Sequence, residues 1–160
     1  MYAQNTGSIF QRERNDKKTA QRIAAAANAD LFEIVPAVLY TDTDLNWTNK
    51  KSRSSVEMAN PASRPEIANR VSDMAQYDTI LLGFPIWWYT APTIIKTFLE
   101  SYDFSGKTIA LFATSGGSGM GKTASDLKPC VGESAKILSA SVLNRATDAS
   151  IQSFLKQITE

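Results

Sequence analysis

A chain of 160 residues with 43% hydrophobic side chains is about one domain's worth of sequence, with enough apolar surface to build a proper core. Its formal charge of +1 offers no electrostatic attraction for nucleic acid or for an anionic membrane surface. The absence of histidine and the presence of a single cysteine exclude Ser-His and Cys-His nucleophilic pairs, histidine metal sites and internal disulfides, so the chemistry expected here belongs to a cofactor.

No apolar run approaches the roughly 18 to 20 residues that a membrane span requires, and no signal-peptide pattern opens the chain. The expectation is a soluble, cytoplasmic protein with Cys130 as a small buried apolar group. From Asp16 the elements are regular. Lys17 to Asn28 is Ala-rich, with Ala20, Ile23, Ala24 and Ala27 on one face, which predicts a helix; Leu31 to Val35 predicts a strand. From Pro36 to Pro61 the chain carries Tyr40, Trp47, Lys50, Lys51 and Arg53 without periodicity, a long loop of the kind that is usually functional. Ser63 and Glu66 have capping-box spacing and predict a helix with Ile67, Val71 and Met74 inward.

The stretch from Thr79 to Pro92 is the most informative. Thr79 to Phe84 is a nearly continuous apolar run, the pattern of a strand buried on both faces of a parallel sheet. Pro85 and Pro92 lack the amide that a central strand needs. Between them Trp87, Trp88 and Tyr89 sit where a loop leaves the strand's carboxyl end, which is where open α/β sheets bind ligands. The bland reading is three rings that plug the sheet end; the functional one is a ring laid against a flat aromatic ligand.

A helix follows, with Ile94, Ile95, Phe98, Leu99 and Tyr102 inward. Lys107 to Ser115 is a strand running into Gly-Gly-Ser-Gly, and Pro129 interrupts the short helix after it. Ile137 to Leu143 is a strand, and Asp148 caps a last helix with Ile151, Phe154, Leu155 and Ile158 inward. Strands alternating with helices imply right-handed crossovers, a parallel sheet with helices on both faces, and one domain over residues 1–160. The loops after the third and fourth strands then open on the same edge of the sheet.

Gly116, four residues, Gly121, Lys122 and Thr123 also fit the phosphate-loop pattern of nucleotide triphosphatases. Those enzymes need a second strand ending in an acidic residue to hold magnesium, and the strands here end at Pro85 and Asn144, which argues against that activity.

Thr79 to Ser118, with Leu-Leu-Gly-Phe-Pro-Ile-Trp-Trp, Ala-Pro-Thr-Ile-Ile-Lys-Thr-Phe-Leu-Glu and Thr-Ser-Gly-Gly-Ser-Gly, resembles the short-chain flavodoxin-like family. The insert between Tyr40 and Pro65, with Asp44-Leu45-Asn46-Trp47 and Ser52-Arg53-Ser54-Ser55, is similar to the same family. The resemblance implies a three-layer flavodoxin-like fold with a five-stranded parallel sheet in the order 2-1-3-4-5, and FMN at the carboxyl ends of the strands. It places Pro85, Ile86, Trp87, Trp88 and Tyr89 on one side of the isoalloxazine, and Thr114, Ser115, Gly116, Gly117, Ser118 and Gly119 on the other. It implies electron transfer between a redox partner or small-molecule donor, a nicotinamide or a quinone, and an acceptor, with the protein supplying stacking, amide hydrogen bonds and exclusion of water. The alternative function is a binding module on the same sheet that has lost the cofactor.

The front of the chain departs from this pattern. Where the family has an apolar strand and a hydroxyl-and-glycine loop for the flavin phosphate, this chain reads Gly7-Ser8-Ile9-Phe10-Gln11-Arg12-Glu13-Arg14-Asn15-Asp16. That makes the first strand weak or non-standard, and Glu13 and Asp16 oppose a phosphate. A second register, with Thr6-Gly7-Ser8 in the phosphate loop, leaves no strand ahead of it. Read one base later, the degenerate codons of Met1 to Lys17 permit Met-His-Lys-Thr-Leu-Val-Leu-Tyr-Phe-Ser-Gly-Ser-Gly-Thr-Thr-Lys, an apolar strand and then the family's loop. The frame rejoins at the A-rich codons of Lys17 and Lys18. A frame-shifted front end is therefore expected when the coding DNA is read, and DNA in which no overlapping frame encodes such a strand and loop means a diverged N-terminus.

Overall fold

The computed structural model describes residues 6–11, 14–115, 119–144 and 146–159. Five strands, β1 (Thr6–Gln11), β2 (Asp30–Ile34), β3 (Thr79–Pro85), β4 (Thr108–Thr114) and β5 (Lys136–Val142), form one parallel sheet in the order β2-β1-β3-β4-β5. The helices are α1 (Arg14–Ala27), α2 (Arg53–Ala59), α3 (Thr93–Glu100), α4 (Thr123–Leu127) and α5 (Asp148–Thr159).

The sheet is buried on both faces because β3 and β4 are apolar without interruption. Successive side chains of a strand point to opposite faces. Ile80, Leu82 and Phe84 accordingly join Ile94, Ile95, Phe98 and Leu99 of α3 in the larger cluster. Leu81 joins Ala20, Ile23 and Ala27 of α1 with Ile151, Phe154 and Leu155 of α5 in the other. The predicted inward faces of α1, α3 and α5 are therefore the buried ones. Cys130 is half-buried against the larger cluster, where burial pushes its thiol pKa up and keeps it neutral.

The strand order is the one expected, while the Thr6-Gly7-Ser8 register and the readings of two later segments are corrected. Residues 6–11 are a strand despite holding only Ile9 and Phe10 as large apolar residues, and it lies centrally, with Ile9 opposite Phe32 on one side and Leu82 on the other. Two apolar neighbours and two backbone ladders hold this strand where its own composition would not. This also removes Thr6-Gly7-Ser8 as a phosphate loop, since all three residues belong to β1.

The capping box at Ser63 starts no helix, and helical geometry returns only as a single 3₁₀ turn at Met74–Gln76. Backbone groups in this segment are spent elsewhere: the Ala68 amide donates to the Val35 carbonyl at 2.7 Å, the Ala37 amide to the Glu66 carbonyl at 2.8 Å, and the Val71 amide to the Tyr102 hydroxyl at 2.9 Å. The Asn69 side chain takes the Val35 amide at 3.1 Å and gives its own NH₂ to the Glu33 carbonyl at 2.7 Å. Residues 66–69 thus pair with the chain just past the end of β2, and Asn69 reaches back to Glu33 within it, a use of backbone that a helix would forbid.

The stretch read as a long loop contains α2, capped by Ser52, whose hydroxyl accepts from the Ser55 amide at 3.4 Å. A helix of seven residues is too short to show a hydrophobic period.

Candidate functional site

β3 and β4 end side by side, with Pro85 opposite Thr114 and the Ile86 amide donating to the Thr114 carbonyl at 2.7 Å. Both loops therefore leave the carboxyl edge of the sheet from adjacent positions. Pro85 costs the sheet nothing there, because the ladder is ending.

The aromatic loop is a tight turn. The Trp87 amide donates to the Thr90 carbonyl at 2.9 Å, and the Thr90 amide returns to the Trp87 carbonyl at 3.1 Å. The two residues between them have positive φ, +48° at Trp88 and +65° at Tyr89. Two positive φ values in the centre mark a type I′ turn, whose usual occupants are Asn and Gly. Two bulky aromatics there hold strain of about 1 to 2 kcal/mol each. The strain does not serve the core, since Trp88 is 45% exposed and Tyr89 is 66% exposed. Strained backbone displaying exposed rings at a strand's carboxyl end is a mark of a ligand site.

Trp87 sits differently. Its ring meets Tyr40 edge-on at 5.7 Å, and Tyr40 is held from behind by the insert: the Arg53 guanidinium lies 3.8 Å from the ring centre, and the Tyr40 hydroxyl donates to Glu57. Arg53 and Glu57 pair at 3.0 Å one turn apart on α2. Burial and then the bond to Glu57 raise the Tyr40 pKa well above the ordinary phenol value, so the hydroxyl stays protonated. Trp87 thus anchors the turn to the insert while Trp88 and Tyr89 face outward.

The loop after β4 reaches the same place. Gly121 has φ +53°, and a Cβ there would lie 2.4 Å from the Tyr89 carbonyl oxygen, so the close approach of the two loops requires glycine. The Ser115 amide is fixed by the Asn144 side-chain carbonyl at 2.6 Å, a positioning role for Asn144 that carries no sequence signature. Thr114 is buried, Ser115 half-buried and Gly119 exposed with open space about its α-carbon. Gly116, Gly117 and Ser118 lie outside the described residues.

This geometry does not support a triphosphatase loop. Thr123 is fully buried, with its hydroxyl donated to the Met120 carbonyl, and α4 is only five residues long. No group of three metal-ligating side chains occurs among the described residues, and no helix there is long and apolar enough to cross a membrane.

A doubly wound parallel sheet in this order is the flavodoxin architecture. The chain belongs to the flavodoxin family, whose sequence profile matches residues 8–158. It is similar to a flavoprotein of Bacteroides eggerthii, at 39% identity over 98% of each chain with a TM-score of 0.88. A flavoprotein of Lactobacillus acidophilus, solved in complex with FMN, shares the fold at 23% identity over 96% of this chain and 99% of its own, with a TM-score of 0.70. A stretch of 63 residues, 39% of this chain, is 27% identical to the NAD(P)H oxidoreductase YcaK of Escherichia coli and spans only 28% of that protein's length.

Proposed function

We propose that this chain binds FMN at the carboxyl edge of its sheet and carries electrons between a reduced donor and an acceptor. The observation that supports this reading best is the turn at Trp88 and Tyr89, where exposed rings are held at positive φ opposite the loop after β4. Trp88 stacks on the isoalloxazine with Tyr89 beside it, and Pro85, Ile86 and Trp87 form the wall behind. Thr114, Ser115 and Gly119 belong to the opposite wall, which Gly116, Gly117 and Ser118 complete on the sequence alone. Bound there, flavin would supply the redox chemistry between a donor such as a nicotinamide or a hydroquinone and an acceptor. The protein's share is to hold the ring flat, offer loop amides to its polar edge and keep water off one face. The NAD(P)H oxidoreductase relative favours a nicotinamide donor.

Trp88→Ala is expected to weaken flavin binding by about 1 to 3 kcal/mol through lost stacking, with the fold retained because the ring contributes little to the core. Flavin titration followed by fluorescence quenching, with circular dichroism as the check on folding, measures both. An affinity equal to that of the parent removes Trp88 from the flavin face. The parent protein is expected to purify yellow or to take up added flavin; a colourless chain that takes up none supports the cofactor-free binding module instead.

A further inference from the structure

On the insert side of Trp88 lies a cleft of about 940 Å³, a volume suited to a small organic molecule. Of the residues assigned above to flavin only Trp88 lines it, and Pro85, Ile86, Thr114, Ser115 and Gly119 do not, so the cleft adjoins the flavin walls without being formed by them. Its walls come from the insert, with Trp47, Lys50 and Met58, and from the start of α3, with Thr93 and Lys96, and Lys122 closes the rim.

Three features give the chemistry of its ligand. Trp47 is 72% exposed and Trp88 45%, so two indoles line one cleft without being covered by the rest of the protein. Lys50, Lys96 and Lys122 have no carboxylate partner among the described residues. The one carboxylate in the lining, Asp126, accepts a hydrogen bond from the Thr90 hydroxyl at 2.6 Å, and Lys96 reaches only the Pro61 carbonyl at 3.5 Å. Thr93, only 3% exposed, lines the cleft at the first residue of α3, and its hydroxyl oxygen has no hydrogen-bond partner. No side chain caps that helix end, whose dipole is positive. A buried hydroxyl without a partner destabilises the protein unless a ligand supplies one.

We infer that this cleft binds a planar aromatic anion, its ring against Trp47 and Trp88 and its acidic group toward Thr93 and the three lysines. Three rotatable ammonium groups around the cleft favour an anion over a neutral amide without demanding one anion geometry. This goes beyond the flavin assignment, sharing with it only Trp88.

The test is calorimetric titration of the full purified chain with 2-naphthoate, 2-naphthyl phosphate, neutral 2-naphthamide and octanoate. Both aromatic anions are expected to bind at least tenfold more tightly than the amide and than octanoate, and whichever of the two is tighter tells carboxylate from phosphate recognition. Lys96→Gln, a conservative change at a half-exposed position, is expected to lower naphthoate affinity about fivefold and flatten its salt dependence. Thr93→Val is expected to lower it by a similar factor while the melting temperature holds or rises. Neither variant is expected to change flavin affinity. Equal binding of naphthoate and naphthamide, or no loss in either variant, overturns the inference; variants that lose flavin and keep naphthoate place the cleft inside the flavin pocket and overturn it equally.

Discussion

Titrated with riboflavin and with FMN, this chain is expected to bind the two within about a factor of ten of each other, a difference of roughly 1.4 kcal/mol or less. A chain carrying the hydroxyl-and-glycine junction of the overlapping frame is expected to prefer FMN by several powers of ten. The argument concerns the junction between β1 and α1. β1 ends at Gln11 and α1 begins at Arg14, so the helix start where the family holds phosphate carries Arg12 and Glu13 in this sequence, with Asp16 in the first turn. Arg12 and Glu13 themselves lie outside the described residues, so the expectation rests on their chemistry. A phosphate at a helix N-terminus is held by free amides, side-chain hydroxyls and the dipole. Losing two or three charge-assisted bonds at about 1.5 to 3 kcal/mol each, with carboxylates added nearby, removes most of the phosphate's contribution. The ring pocket is unaffected, which is why riboflavin is the informative ligand. Fluorescence quenching with both ligands on both chains decides the matter. A strong FMN preference in the present chain means that Arg12 and Arg14 rebuild the phosphate site.

Gly83→Ala is expected to destabilise the fold by about 3 kcal/mol, the upper part of the range for overpacking a core. For a domain of this length that lowers the melting temperature by roughly 10 °C. Gly83 lies in the middle of the sheet opposite Phe112, and a Cβ there would stand 2.3 Å from two atoms of the Phe112 ring. The ring fills the place a side chain would take. It has no room to swing aside, because Phe112 is fully buried and packs edge-on against Phe154 at 5.9 Å. Phe112→Leu is therefore expected to cost less in the Gly83→Ala background than in the parent, with a coupling of at least about 1 kcal/mol between the two positions. Strict additivity in thermal and denaturant unfolding would show that the ring and the new methyl do not meet.

The sequence is a good guide where burial is symmetric and segments are long. The apolar run marks β3, which extends one residue past it to Pro85, and the spacing of inward faces marks α1, α3 and α5, because such patterns come directly from solvent exclusion. It is a poor guide where tertiary partners override local preference. The Ser63 capping box has correct spacing, yet the chain just past β2 claims the Glu66 carbonyl and the Ala68 amide. β1 has too few apolar residues to declare itself, and its neighbours make it a strand. At the site, position was legible and conformation was not. Trp88 and Tyr89 could be placed at a strand end, whereas their positive φ depends on a turn that no propensity of tryptophan or tyrosine suggests. The brace on Trp87 was hidden for another reason: Tyr40, Arg53 and Glu57 come from a stretch without periodicity, and their roles exist only once that stretch folds back on the turn.

The antiparallel bridge between Pro36 and Ile67 has an evolutionary consequence. It joins the two ends of the insert at the sheet edge, so everything between them hangs from a closed neck. For a loop whose ends are already tied, doubling the length costs only about 0.6 kcal/mol in closure entropy. The insert also provides Trp47, Lys50 and Met58 of the cleft. Descendants of this chain can therefore lengthen, shorten or replace that wall, and so change what the cleft admits, while the sheet and the aromatic turn beneath it stay as they are.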